Sequence, residues 1–191
     1  NKVVFDVNLP KAKINTTDLN TFYNGFSGGR DIVLEGVTMK GTLNNFVIPQ
    51  GKISYQNTLI QGDLAFQNLL SEHANTAVIG KGIHAESIYN DLAYLMPEVL
   101  GKSIPEELQR LGMFSLDGDF AYRTTSLQTN VLLKTNDGEA HIDGSLDDLT
   151  HTDKTAFKGT LTTNQFHLGK ILDDPSIGAI STDMLVRGEG L

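Results

Sequence analysis

The chain of 191 residues carries 23 acidic and 15 basic side chains, a formal charge of −8, and lacks the basic stripe that phosphate neutralisation needs; this argues against nucleic acid and against adhesion to anionic lipid headgroups. No cysteine occurs, so disulfides, thiolate metal sites and thiol nucleophiles are excluded as well. Hydrophobic content of 39% is low for a compact globule, whereas 19 glycines and many Thr, Asn and Asp residues suit a turn-rich β protein of one domain.

Period-two alternation predicts strands near 2–8, 31–37, 39–48, 51–56 and 58–66, with a polar loop around 20–30 and "PQGK" (49–52) as a hairpin turn. The period changes at 85–112. Ile88, Leu92, Leu95 and Met96 fall at helical spacing until Pro97 ends the run. "SIPEELQRLG" then offers Ser103 and Glu106 as a capping box, Pro105 in the first turn and Gly112 as terminator of a second short helix. This pair reads as a lid over one end of a sheet. Strands return at 114–123, 126–135, 139–147 and 155–163, with "NDGE" (136–139) as a hairpin turn. A short helical turn broken by Pro175 precedes a last strand at 179–190. The organisation expected is a β meander over 1–84, a helical insert over 85–112 and further strands over 113–191. With no initiator Met and both ends inside apparent strands, the chain reads as a segment of a longer protein whose targeting signals and membrane anchor lie elsewhere.

One arrangement recurs: an apolar residue two before a glycine and another two after it. It appears as Met39-Lys-Gly41-Thr-Leu43, Ile60-Gln-Gly62-Asp-Leu64, Leu116-Asp-Gly118-Asp-Phe120, Ile142-Asp-Gly144-Ser-Leu146 and Phe157-Lys-Gly159-Thr-Leu161, with a shorter copy at Val186-Arg-Gly188. The spacings are uneven, so this is a repeated strand type and not a fixed-period solenoid. Glycine inside a strand marks a bend, a bulge or a close approach. The glycines either let the sheet curl and hollow its dry face, or admit bulky rings from a facing sheet in an ordinary sandwich.

No catalytic constellation rises from the sequence. The histidines His73, His84, His141, His151 and His167 are scattered without metal-ligand spacing, and the pairs Asp117/Asp119, Asp147/Asp148 and Asp173/Asp174 fall on wet strand faces or turns. Nucleophile elbows, phosphate loops and dinucleotide fingerprints are missing. No cofactor is implied.

Three stretches, "SIPEELQRLGMFSLDGDFAY", "FKGTLTTNQFHLGKILDDPSIGAIS" and "MLVRGEGL", resemble TamB/AsmA-like proteins of Gram-negative envelopes, in which a short proline-bearing helix leads into glycine-punctuated strands. A phrase similar to Phe166-His-Leu168-Gly169-Lys170-Ile171-Leu172 then precedes a further strand and a Val-x-Gly-x-Gly-Leu ending. The resemblance covers about 103–191, and over 1–102 it rests on strand style. It implies a large periplasmic protein anchored at the inner membrane by an N-terminal helix. It further implies a curled β-sheet with an apolar interior, phospholipid transport between the two membranes, and outer-membrane biogenesis with a β-barrel assembly partner. The family has no catalytic residue to carry over.

The leading expectation is therefore a mainly β, strongly curved antiparallel sheet forming an open, taco-like groove, with a small helical insert near 85–112. It would be non-enzymatic and would hold phospholipid acyl chains against Met39, Leu43, Phe114, Leu116, Phe120, Phe157 and Leu161, which flank the motif's glycines or share their parity. The alternative is a β-sandwich serving as a structural or interaction module of a surface or adhesin-like protein. An enzyme, such as a glycan hydrolase on a β scaffold, would need paired carboxylates in a cleft.

Overall fold

In a computed structural model of the chain, the residues described are 3–21, 25–69, 76–95, 97 and 106–190. Ten strands form a single antiparallel sheet whose spatial order is the order of the sequence: β1 (Phe5–Asn15), β2 (Asp31–Thr42), β3 (Asn45–Tyr55), β4 (Thr58–Gln67), β5 (Ala77–Ile88), β6 (Met113–Arg123), β7 (Ser126–Thr135), β8 (Gly138–Asp147), β9 (Ala156–His167) and β10 (Ala179–Glu189). The sheet is not closed, because β1 and β10 are its two edges. Among the described residues no second sheet faces it, so the sandwich alternative is not formed.

The helical pieces are few and short; among the described residues one 3-10 turn (Thr152–Lys154) lies between β8 and β9, and the other four gather at the opposite end of the strands. Here α1 (Thr16–Leu19) follows β1, α2 (Tyr89–Leu95) follows β5, a 3-10 turn (Glu106–Leu111) leads into β6, and α3 (Leu168–Leu172) follows β9. Arg110 ties two of these pieces together by donating through Nη1 to the Ile171 carbonyl at 2.7 Å, with Leu111 and Ile171 buried beside it. Asp91 of α2 accepts from the Asn57 backbone N–H at 2.7 Å, which pins the helix to the β3–β4 hairpin. A second tie joins the β7–β8 hairpin to α3, where Lys170 donates to both carboxylate oxygens of Asp137 at 2.7 and 2.9 Å.

The last five strands lie where the alternation predicts them, within a residue or two except at the end of β9. In the first half β4 does too, expected at 58–66 and found at Thr58–Gln67, but β1, expected near 2–8, runs Phe5–Asn15, and β2, β3 and β5 depart further. The "PQGK" stretch is no turn; it lies inside β3, where the register against β4 shifts by one between Ile48 and Gly51 and Gln50 takes φ of 52°. The extra residue of such a bulge flips the parity of the strand, so Ile48 and Gly51 share one face. The hairpin turns flanking β3 are instead Leu43-Asn44 and Gln56-Asn57. Strands expected at 31–37 and 39–48 are therefore one strand, a turn and the start of the next. All of β5 was missing from the expectation, because a similar shift near Lys81-Gly82 breaks its alternation. Residues 85–88 remain strand, so the helical run starts at Tyr89, and Ile88 belongs to β5. Met96, Ser103, Pro105 and His73 lie outside the described residues.

The buried core is small and sits in the first half. Leu34, Val37, Ile48, Leu64 and Ile83 form it, with Phe46 and Phe66 stacked beside it at 4.7 Å between ring centroids. Fully burying each of these aliphatic side chains stabilises by roughly 1.5–3 kcal/mol.

The strand glycines serve close approach within the sheet. At Gly118, φ is 147°, and a Cβ there would lie 2.1 Å from the Asn130 carbonyl oxygen of β7. Gly118→Val is accordingly expected to cost on the order of 3 kcal/mol through backbone strain and overpacking. Gly36, with φ of 61° and open space around its missing Cβ, should accept Asn within about 1 kcal/mol. Urea midpoints of the two variants test this, and equal losses would refute it.

Candidate functional site: an uncharged face with an open hollow

Directly paired residues point to the same side of a sheet, so the register assigns every strand position to a face. From β4 the assignment runs Thr58, Ile60, Gly62, Leu64 and Phe66 on one side, and its partners carry it through to Thr182, Met184, Val186 and Gly188 on β10. Through the ten described strands this face bears no Asp, Glu, Lys, Arg or His. The bulges in β3 and β5, the left-handed Gly36 of β2 with Pro10 of β1 beside it, and the irregularity between Ile180 and Thr182 restore parity, so the segregation holds on both sides of each.

All the charge of the strands is on the other face, where it pairs across strands. Lys13 meets Asp31 at 2.7 Å, Lys40 meets Asp6 at 3.2 Å, and Glu35 lies between Lys52 at 3.0 Å and Lys11 at 3.8 Å. The hydrogen bond from Lys52 holds the Glu35 carboxyl below its ordinary value, and that from Lys13 does the same for Asp31. Such exposed pairs, screened by water, add little to stability individually. Their weight is in fixing which side faces water.

The uncharged face is not uniform. In its first half the core cluster fills it. In its second half an apolar hollow of about 370 Å³ lies open across β7 to β10. Its floor is the row Thr129, Gly144, Gly159 and Val186, one residue from each strand in register. One wall is Leu127, Leu146 and Phe157, and the other is Ile142 and Leu161. Ile142 and Val186 keep 36% and 37% of their surface exposed, which makes them accessible wall and floor. A second hollow of about 510 Å³ lies behind the same glycine pair on the charged face, lined by Lys81, Asp119, Asn130, Asp143 and Lys158. The sheet is thus one backbone thick between an oily and a polar depression.

Of the residues singled out from the sequence, Met39, Phe114, Leu116, Phe120, Phe157 and Leu161 all lie on the uncharged face. Only Phe157 and Leu161 line the hollow. Met39 and Phe120 pack against the core, and the Phe120 ring occupies the space a Cβ on Gly80 would need, 2.4 Å away. Leu43 is different: it sits in the β2–β3 turn, 62% exposed, because the strand ends at Thr42 before the motif is complete. Ile142, Leu146 and Val186 carry the same glycine-flanking signal and were omitted from the candidate lining. Leu127 and Thr129 carry no such signal, and only strand register brings them there.

Titratable chemistry clusters on the charged face. His84 Nδ1 lies 2.6 Å from Asp117 and its Nε2 3.4 Å from Glu86, with Lys134 3.6 Å from Asp117. Asp117 and Asp119 both point to this side, the latter accepting from the Gly82 N–H at 2.7 Å. Among the described residues no group of three His, Asp or Glu side chains is arranged to hold a metal ion, and no helix is long and apolar enough to cross a membrane. Comparison with known proteins returns no match: no family model, no curated protein and no solved structure.

The hydrogen bond to Asp117 raises the His84 imidazole above its usual value, and the same bond lowers Asp117. The histidine's contribution is complete below the ordinary imidazole value of about 6.5 and is lost as pH rises through the raised value. That of Asp117 is complete above 3.8 and is lost as pH falls through the lowered value. With side chains 41% and 38% exposed, the pair is worth well under 1 kcal/mol. His84→Gln should flatten a small decline in the urea midpoint as pH rises from about 6.5 through the raised value, and a decline of unchanged size in the variant would assign it to another group.

Proposed function

We propose that this chain is a non-enzymatic segment of a TamB/AsmA-like envelope protein, and that its uncharged face curves into a groove for phospholipid acyl chains passing between inner and outer membranes. In this reading the parent protein is periplasmic and anchored at the inner membrane, and it supports outer-membrane biogenesis alongside a β-barrel assembly partner. The observation that carries the reading is the absence of any charged side chain from one face of a ten-stranded sheet, with an apolar hollow open on that same face. A face without charge offers nothing to an ionic headgroup and roughly 25 cal/mol per Å² to a hydrocarbon chain.

Curvature is supported by two features. Val37 has no exposed surface, although among the described residues no second layer covers it. Left-handed backbone at Gln50 and Gly82 accompanies bulges in alternate strands, and bulges bend the strands that carry them. The net charge of −8 keeps the segment's polar side in water and away from anionic membrane surfaces.

Delipidated protein should bind a fluorescent fatty-acid probe. Ile142→Asp, on the open part of the uncharged face, should weaken that binding about tenfold, the equivalent of about 1.4 kcal/mol, while leaving the fold intact by circular dichroism. Leu185→Asp, on the opposite face at 74% exposure, should leave it unchanged. Wild-type protein indifferent to such probes, or equal losses in both variants, would defeat the proposal.

A further inference from the structure

The hollow has a direction. Its floor, Thr129, Gly144, Gly159 and Val186, runs from strand to strand, perpendicular to the strand axes. At its centre there is no side chain: a Cβ on Gly159 would lie 2.7 Å from the Gly144 Cα, and one on Gly144 would lie 3.3 Å from the Gly159 Cα. The two glycines face each other across β8 and β9 as bare backbone. The walls stand two residues away on either side along each strand, so their Cα rows are four residues apart, about 13 Å at 3.3 Å per residue. Apolar side chains standing on both rows, and a volume of about 370 Å³ between them, leave room for one chain and not for several. From β7 to β10 the floor spans three strand spacings, about 14 Å. At the β6 end the next position in the row is Phe120, whose ring is packed over Gly80 and blocks the way. At the other end the row reaches Val186 of β10.

We infer that the hollow is a cross-strand slot for a single unbranched alkyl chain, laid perpendicular to the strands over the floor from Thr129 to Val186. This rests on the acyl-chain reading above and adds the orientation and the number of chains. The absence of charge from the whole face excludes a headgroup from the slot. A chain lying along a strand would have to climb over the walls, because side chains rise from the face at every second residue. A docked helix or strand needs a broad flat face, which the raised walls deny.

The test uses the full chain, isotopically labelled, with dodecanoic acid carrying a nitroxide either near its methyl end or near its carboxylate. The two labels should broaden amide signals at opposite ends of the floor, one set around Thr129 and the other around Val186 and Met184, in order across the strands. In parallel, Thr129→Phe and Val186→Phe, which fill the floor, should lower affinity for a fluorescent dodecanoate at least tenfold. Leu133→Phe lies on the same face one row beyond the wall, and should change affinity less than twofold; spectra of all three should keep the wild-type dispersion. Broadening that follows one strand, or a loss in Leu133→Phe equal to the others, overturns the slot while sparing the acyl-chain reading. Wild-type protein that binds neither probe overturns both.

Discussion

A sheet one layer thick has two faces, and each must be satisfied separately. In this chain the charged face is satisfied by water and by cross-strand ion pairs such as Lys13–Asp31 and the Lys11–Glu35–Lys52 chain. The other face offers hydrocarbon, a few hydroxyls and backbone but no charge, and among the described residues no second sheet is layered on it. The chain exposes 11554 Å² for 20.8 kDa, against about 8,900 Å² for a compact globule of that mass. That excess is the mark of a fold that does not close on itself.

The two halves of the sheet answer this constraint differently. In β2 to β5 the large residues are dense enough to cover one another, and Leu34, Val37, Ile48, Leu64 and Ile83 become a core without a facing layer. In β7 to β10 the same parity carries Thr129, Gly138, Ala140, Gly144, Gly159 and Thr163, which cannot fill the face. Phe120 stands at the boundary: its ring completes the core on one side and ends the hollow on the other. The stability of the segment and its capacity to take a guest thus reside in different strands, so substitutions in the hollow need not unfold the sheet. The helices add a third element. Those gathered at one end are tied there by Arg110 to each other and by Asp91 to the β3–β4 hairpin.

Several of these features were legible in the sequence. β7 matched its expected bounds, and β6, β8 and β10 came within a residue, because unbroken alternation is a local signal. The glycine motif pointed to positions on the dry side and gave Phe157 and Leu161 their place. Where legibility failed, a bulge was the cause. One additional residue near Gln50 split β3 into a strand, a false turn and a second strand, and another near Gly82 concealed β5 altogether. Leu43 failed for a related reason, since a two-residue hairpin turn interrupts the motif without disturbing its composition.

By itself the sequence determined that the strands with unbroken alternation, β6 first among them, are amphipathic, with a wet row and a dry row of residues on opposite sides. This follows from the two-residue period of an extended backbone, which any chain segment obeys without reference to its neighbours. Only the tertiary structure decided that ten such strands lie in one sheet in chain order, that Gly144 stands opposite Gly159, and that Leu127 and Val186 share a hollow with them. Those are matters of register, set by hairpin lengths and by where the bulges fall, and register is a relation between strands that no single strand contains.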